Sequence, residues 1–245
     1  MYIVLLTAVG VGGATIFGAL LGFIFKDLTR KIADAVLAFA GGVMLIASIN
    51  GLILPSLEFE GKYTLLVTLF GIIAGAFLIF LLESAVPAIN KSIESAESSK
   101  RNRVLLLTLA IAIHNLPEGI AAGVGFGTGD VSGALSLALG IALQNIPEGM
   151  VIIAPMISVG VSPRRAFLYA SITGIIEILG TFIGFFAVSL ASAFLPFAIS
   201  LAGGAMLYVI SEEIIPETHL GEKKLLVSFA FLFGFCFMLA LSFII

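Results

Sequence analysis

Long apolar stretches separated by short polar breaks run along almost the whole chain. A helix needs about 20 apolar residues to cross the hydrocarbon of a bilayer. Eight stretches reach that length, at residues 2–25, 34–54, 63–89, 104–126, 131–159, 163–190, 196–216 and 224–245. The pattern predicts an all-α integral membrane protein, a single domain over residues 1–245 with eight transmembrane helices and one long polar connection, at 90–103.

The basic residues lie almost entirely on one side of these predicted spans. The connections after spans one, three, five and seven, together with the first three residues of the spans that follow them, hold eleven of the 12 Lys and Arg residues, and only Lys62 lies in an even-numbered connection. Basic loops stay in the cytoplasm during membrane insertion. We therefore predict a multi-pass protein of the cytoplasmic membrane, with both termini outside and the connection 90–103 in the cytoplasm.

The overall composition agrees with a chain whose main solvent and partner is the lipid bilayer. Hydrophobic residues make up 60% of the chain and charged residues only 11%, with a mean hydropathy of +1.21, whereas a soluble domain carries roughly a quarter charged residues. The small net charge of -3 and the scattered basic residues argue against nucleic acid as a partner. Cys236 is the only cysteine, which excludes an internal disulfide and a cysteine-based metal centre.

Two repeats are visible in the sequence. Residues 114–119 (HNLPEG) recur at 144–149 as QNIPEG, on consecutive spans that run in opposite directions. Residues 40–45 (AGGVML) recur at 202–207 as AGGAML, and both copies continue to a proline that an acidic residue follows closely. Inverted repeats are typical of secondary transporters. We predict that spans one to three and spans six to eight form such a repeat around spans four and five.

Ionisable and amide side chains lie near the midpoint of several predicted spans. An ionisable group at the bilayer centre costs about 2.5–3.5 kcal/mol, so three glutamates cost roughly 9 kcal/mol unless a positive charge offsets them. The spans concerned contain no Lys or Arg near their midpoints, since Arg164 and Arg165 lie at the polar start of span six. The expected counter-charge is a bound cation, and the candidate ligands are Met44 in span two, His114, Asn115 and Glu118 in span four, Gln144, Asn145 and Glu148 in span five, and Glu177 in span six.

The types of these side chains restrict the ion. His114 and Glu118 lie four residues apart and therefore share one helix face with Asn115, and the second copy of the motif repeats this spacing. Imidazole favours transition metals, and three carboxylates without a thiolate favour a divalent first-row ion over Cu(I). The residues leave open whether the site takes one ion or two ions bridged by Glu118 and Glu148.

Two other classes of protein also place acids in the membrane. A proton- or sodium-coupled carrier of an organic solute uses them as a proton relay, but this alternative does not explain the pairing of imidazole with carboxylates. An intramembrane metalloenzyme uses a bound ion to activate water, yet the chain has neither His-Glu-x-x-His nor Gly-x-Ser-x-Gly. We expect a metal transporter, not an enzyme, with no prosthetic group.

The paired motifs, the eight spans, the outward termini and the basic third loop resemble the ZIP (zinc- and iron-regulated transporter-like) family, over essentially the whole chain. The sequence Gln-Asn-Ile-Pro-Glu-Gly at 144–149 resembles the bacterial-type branch of that family. The resemblance implies elevator-like movement of a divalent metal into the cytoplasm, often by a homodimer. Zinc is the foremost expected substrate, with iron, manganese, cobalt and cadmium as the others.

The same resemblance assigns roles to the candidate ligands. It implies a primary site of Met44, His114, Glu118, Gln144 and Glu148, and a second site in which Asn115, Asn145 and Glu177 join the two bridging glutamates. Many members have His where this chain has Gln144, and some relatives have Asp where it has Asn145. The neutral amides make the second site of this chain less anionic.

Further acids and a second histidine lie near the cytoplasmic ends of spans three and seven. The candidates for an exit path are Glu83, Glu213, Glu217 and His219. The resemblance places metal contacts in this region, with Glu213 as the best match. On the opposite side of the membrane, Glu58, Glu60 and Asp130 are expected to lie in solvated acidic loops.

Overall fold

The computed structural model describes residues 1–25, 29–93, 99–158, 160–190, 194–221 and 223–244, with side-chain surroundings described there except at 86–111, 155, 158, 189 and 190. This described part of the chain is helical and contains no β-strand. Its eight long helices are α1 (Tyr2–Ile24), α2 (Arg30–Leu57), α3 (Thr64–Ile93), α4 (Ser99–Gly125), α5 (Val131–Ser158), α6 (Pro163–Leu190), α7 (Leu195–His219) and α8 (Lys224–Ile244).

These helices confirm the eight predicted spans, and each of their ends lies within five residues of the predicted end. Within the described residues, every helix except α4 has a stretch long and apolar enough to cross a membrane. The side chains of α4 are described only from residue 112 onward. The connection expected over 90–103 is shorter than predicted, because α3 continues to Ile93 and α4 begins at Ser99. Residues 94–98, in its middle, lie outside the described residues.

Two helices carry especially apolar outer surfaces. On α3 and α8, large apolar side chains are more than half exposed, among them Leu65, Leu66, Phe70, Ile73, Leu225, Phe229, Phe233 and Phe243. Soluble monomers rarely expose apolar patches of this kind in a contiguous row. These two faces therefore suit contact with hydrocarbon and not with water.

The eight helices pack as two groups of four. In the first four-helix group, α1 packs on α5 and α6, and α4 packs on α6; in the second, α2 packs on α8 and α3 on α7. The main contacts between the two groups join α2 to α5 and α4 to α7. The helix contacts are symmetric. If α1 is exchanged with α6, α2 with α7, α3 with α8, and α4 with α5, the same set of helix pairs results.

Glycines set the closest approaches inside the first four-helix group. A methyl group added at Gly119 of α4 would lie 2.3 Å from the carbonyl oxygen of Glu177 in α6. One added at Gly149 of α5 would lie 2.2 Å from the carbonyl oxygen of Thr15 in α1. These glycines directly follow the glutamates of the two Pro-Glu motifs. They let the backbone of α4 approach that of α6, and the backbone of α5 approach that of α1, beside the candidate ligands.

The helices α2 and α7 each contain one π-helical turn, at Ile49–Ile53 and Ile210–Ile214. Each turn ends two residues before a proline, Pro55 or Pro216, so the two turns occupy matching places in the second sequence repeat. A π turn inside an α-helix frequently marks a functional site. In the second four-helix group, the backbone therefore departs from regular α-helix at two related positions.

Candidate metal site

The polar residues of the two repeated motifs lie in the interior of α4 and α5. Both helices continue through their prolines, Pro117 and Pro147. The five side chains that face the centre are each at most 5% exposed, namely His114, Asn115, Glu118, Gln144 and Asn145. The structure therefore brings the two motifs together in one buried region, as the sequence predicts.

His114 joins α4 to the ends of two helices of the second group. Its Nε2 lies 2.9 Å from Oε1 of Glu213 in the π turn of α7, and 3.3 Å from Oε1 of Glu83 in α3. The three ligand atoms all lie within 4.8 Å of one another, an arrangement that can hold a metal ion. The hydroxyl of Tyr208 donates a hydrogen bond of 3.3 Å to the other oxygen of Glu83.

Glu118 and Gln144 form the next contact between the two motifs. The Nε2 of Gln144 donates a hydrogen bond of 2.6 Å to Oε1 of Glu118, and both side chains are almost fully buried. This bond leaves Oε2 of Glu118 and Oε1 of Gln144 without a hydrogen-bond partner. The pair thus presents one carboxylate oxygen and one amide oxygen, both of which are ligands that a metal accepts.

Glu177 lies beside these residues and is surrounded by hydrogen-bond donors. Its Oε1 accepts a hydrogen bond of 2.7 Å from the hydroxyl of Thr15 and another from Nδ2 of Asn115. Its Oε2 accepts one of 2.6 Å from Nδ2 of Asn145. Since the four residues belong to α1, α4, α5 and α6, this carboxylate connects all members of the first four-helix group.

Four buried side-chain oxygens of α4 and α5 have no hydrogen-bond partner, namely those of Asn115 (Oδ1), Asn145 (Oδ1), Glu118 (Oε2) and Gln144 (Oε1). In proteins, roughly 90% or more of buried polar groups are paired. The buried residues of the described part of the chain include no Lys or Arg that could serve them. A cation satisfies several oxygen acceptors at once, so the chemistry of this donor set fits a bound metal ion.

Two further predicted ligands border this region. Glu148 is half-buried and lies close enough to His114 and Glu213 to interact with them electrostatically. Met44 is fully buried in the apolar core, in one cluster with Ile113 and Ile141, which precede the polar residues of α4 and α5. The hydroxyl of Ser48 donates to the carbonyl oxygen of Met44 at 2.7 Å, one turn along α2.

Comparison with known proteins identifies the family of the chain. The sequence model of the ZIP zinc transporter family matches residues 90–242, which is more than half of the chain. The chain belongs to the ZIP family. The zinc transporter GufA of Myxococcus xanthus is 35% identical over 94% of both chains, and ZIPB of Bordetella bronchiseptica is 37% identical over 94% of this chain and 77% of its own. ZupT of Chlorobaculum parvum is 31% identical over 88% of each chain.

Membership of the ZIP family confirms the resemblance seen in the sequence. Together with the long apolar helices, it makes the chain a multi-pass membrane protein. GufA, ZIPB and ZupT are all named as zinc transporters, which agrees with the expectation of transport over that of an enzyme. The buried histidine and carboxylates of this ZIP-family protein form a cluster that can hold a metal ion.

The predicted exit residues of this ZIP-family protein divide into two pairs. Glu83 and Glu213 converge on His114, as described above. Glu217 is exposed and forms an ion pair of 3.4 Å with Arg30 at the start of α2. His219 places Nδ1 at 2.9 Å from the carbonyl oxygen of Ile215 in its own helix. Only the first pair therefore joins the buried histidine, because Glu217 and His219 lie one to two turns further toward the helix end.

Two residues that contact the site were missed in the sequence. Thr15 is a small polar residue in an apolar helix, and such residues are common there, so composition alone does not single it out. A repeat comparison could have found it, because Thr15 and Glu177 lie 162 residues apart, the same separation as Gly12 and Gly174. Tyr208 carries no such signal, since only the packing of α3 on α7 brings it to Glu83.

Proposed function

We propose that this ZIP-family protein carries a divalent transition metal, zinc foremost, across the cytoplasmic membrane into the cytoplasm. The observation that carries this proposal is the group of buried oxygens without hydrogen-bond partners, beside a buried histidine and several carboxylates. Such a group is stable in a membrane only with a cation or protons as its partners. The names of GufA, ZIPB and ZupT support zinc as the substrate.

The ion would bind mainly between α4 and α5. Glu118 would offer Oε2 and Gln144 would offer Oε1, since their other polar atoms are bonded to each other. His114 and Glu148 would add an imidazole and a second carboxylate from the same two helices. The sulfur of Met44 on α2 would complete this primary site, as the resemblance to the family implies.

The two ends of the path would differ in chemistry. A cavity of about 590 Å³ opens beside the C-terminal end of α2 and the N-terminal end of α5, and its polar lining includes Asn50, Glu58, Asp130 and Ser136. Because successive helices alternate in direction, this cavity faces the side opposite to Glu83 and Glu213. The positive-inside rule supports both termini outside. The metal ion would then enter through this cavity and leave past Glu83 and Glu213.

Alternating access would arise from movement of one four-helix group against the other, in the elevator-like manner that the family resemblance implies. The symmetry of the helix contacts and the matching π turns support an inverted repeat. Contacts between the groups involve flexible side chains: a methyl group at Gly51 would meet Leu137, and one at Gly140 would meet the end of Met238. Side-chain contacts of this kind permit sliding more readily than the backbone contacts inside the first group.

The direct test is metal uptake by liposomes that contain the purified protein. We expect accumulation of Zn²⁺, with Fe²⁺, Mn²⁺, Co²⁺ and Cd²⁺ tested in parallel, and weaker binding at acid pH because the glutamates and the imidazole must be deprotonated to bind metal. Uptake of an organic solute without metal would favour the coupled carrier instead. Hydrolysis of a peptide or lipid without any metal flux would favour the metalloenzyme.

Replacing Glu213 by glutamine should slow zinc uptake about 10-fold, within the range of 10–100-fold that loss of a group bonded to a metal-ligating histidine typically causes. The substitution removes the carboxylate that lies 2.9 Å from Nε2 of His114. Initial uptake rates over a range of zinc concentrations would measure the change. The matched control is Glu212→Gln, because Glu212 is the exposed neighbour in the same π turn. Equal rates in the two variants would exclude Glu213 from the path.

A further inference from the structure

The carboxylate of Glu177 is already hydrogen-bonded by the protein around it. The side chain is completely buried, and three donors from three other helices occupy its two oxygens. Hydrogen bonds from protein donors stabilise a buried carboxylate in place of the water it has lost. A metal ion that bound Glu177 would have to compete with the hydroxyl of Thr15 and with the NH₂ groups of Asn115 and Asn145.

The orientation of the two amides opposes a metal ion at this carboxylate. Nδ2 of Asn145 also lies 3.3 Å from the carbonyl oxygen of Val11, so a rotated amide would place its oxygen against two acceptors. With both NH₂ groups turned toward Glu177, the amide oxygens of Asn115 and Asn145 lie on the other side of each amide. Those oxygens are without a hydrogen-bond partner and would serve the ion between α4 and α5, but they do not join Glu177 in a second metal site.

The charges lead to the same result. Hydrogen bonds satisfy the oxygens of Glu177 but do not remove its charge, so Glu118, Glu148 and Glu177 together carry three negative charges. Two divalent ions would leave a net positive charge in a region of low dielectric, which is strongly unfavourable. One divalent ion leaves a single negative charge, which the three donors to Glu177 stabilise. The charges therefore favour one ion over two.

We propose that Thr15, Asn115, Asn145 and Glu177 form a hydrogen-bonded clasp of the four helices α1, α4, α5 and α6, and that the site between α4 and α5 takes one divalent ion at a time. The stoichiometry rests on the proposed function, whereas the clasp rests on the hydrogen bonds alone. Thr15 is a positioning residue: its hydroxyl holds Glu177, and Glu177 holds the two asparagines.

Counting the zinc ions bound by purified full-length protein in equilibrium dialysis tests the stoichiometry. Glu118→Gln should lower the count by one, whereas Glu177→Gln should leave it unchanged. Asn145→Asp should raise the count by one, because it replaces a donor to Glu177 with a facing carboxylate. The double variant Asn145→Asp with Glu177→Gln should return to the wild-type count. An ion bound by the Glu83–His114–Glu213 cluster would add equally to the zinc count of every variant. It would therefore not change the difference between a variant and the wild-type protein.

The stability of the clasp is tested at Thr15. Thr15→Val keeps the shape of the side chain and removes its donor, so it should lower the midpoint of thermal unfolding in detergent without changing the zinc count. Thr15→Ser keeps the hydroxyl but loses one buried methyl group, so the decisive comparison is between Thr15→Val and the wild-type protein. These variants test the clasp even where the substitution of Glu177 prevents folding.

Two results would overturn the inference. A zinc count that falls by one in Glu177→Gln would make Glu177 a ligand of a second ion. An unfolding midpoint of Thr15→Val at or above that of the wild-type protein would show that no clasp exists. Folded wild-type protein that binds no zinc would instead overturn the proposed function, while the Thr15 variants would still decide on the clasp.

Discussion

Replacing Glu118 by glutamine should reduce zinc uptake by about 100-fold or more, since changes in groups that merely support a ligand already cost 10–100-fold. Oε2 of Glu118 is a buried carboxylate oxygen without a hydrogen-bond partner, and its charge is the strongest attraction for a cation at that point. Glutamine keeps the shape of the side chain and can still accept the hydrogen bond from Gln144. The variant therefore loses charge without leaving a cavity.

Thermal unfolding separates this loss of function from loss of fold. Because the substitution removes a buried charge, the variant should be at least as stable as the wild-type protein in metal-free buffer. Glu212→Gln, which removes an exposed charge, should change neither uptake nor stability. Unimpaired uptake in a stable Glu118→Gln protein would show that the ion does not pass through this site.

The second large effect is expected at Gly12, where α1 crosses α6. A methyl group there would lie 2.1 Å from the carbonyl oxygen of Gly174, and backbone cannot move aside as a flexible side chain can. Overpacking typically costs about 1–3 kcal/mol, occasionally more. Gly12→Ala should therefore lower the unfolding midpoint markedly and reduce the yield of folded protein.

The neighbouring glycine provides the control. A methyl group at Gly13 would have no atom within 4 Å. Gly13→Ala should therefore be neutral or stabilising by about 0.5–1 kcal/mol, because alanine loses less backbone entropy than glycine in a helix. Gly174→Ala should resemble Gly12→Ala, because the contact is reciprocal, at 2.5 Å. If Gly12→Ala and Gly13→Ala unfold at the same temperature, α1 and α6 do not touch as the structure has them.

Much of the fold could be read from the chain because membrane helices obey a simple rule. Every backbone polar group in hydrocarbon must be bonded within the helix, so length and hydropathy alone define the spans. The largest differences between predicted and observed ends occur at the polar ends of α2, α3 and α4. There the helices continue into polar sequence, where hydropathy no longer marks an end.

The candidate ligands were predictable for the same energetic reason. Acids, amides and an imidazole inside apolar spans are costly, so their presence at one depth indicates a shared site. The sequence did not predict which of the candidate exit residues contact His114, because Glu213 and Glu217 are both glutamates near one helix end. Only the tertiary structure decides that Glu213, in the π turn of α7, reaches His114, while Glu217, about one turn further along, pairs with Arg30.

The sequence by itself determined that the chain is a bundle of eight membrane helices and that two copies of one motif carry most of the candidate ligands. Those conclusions follow from local quantities, namely the transfer free energy of each span and the spacing of residues on a helix. Only the tertiary structure decided which buried polar atoms pair with each other and which have no hydrogen-bond partner. Hydrogen bonds between helices are set by packing that no local pattern records, and Tyr208 shows this, since only the packing of α3 on α7 makes it a donor to Glu83.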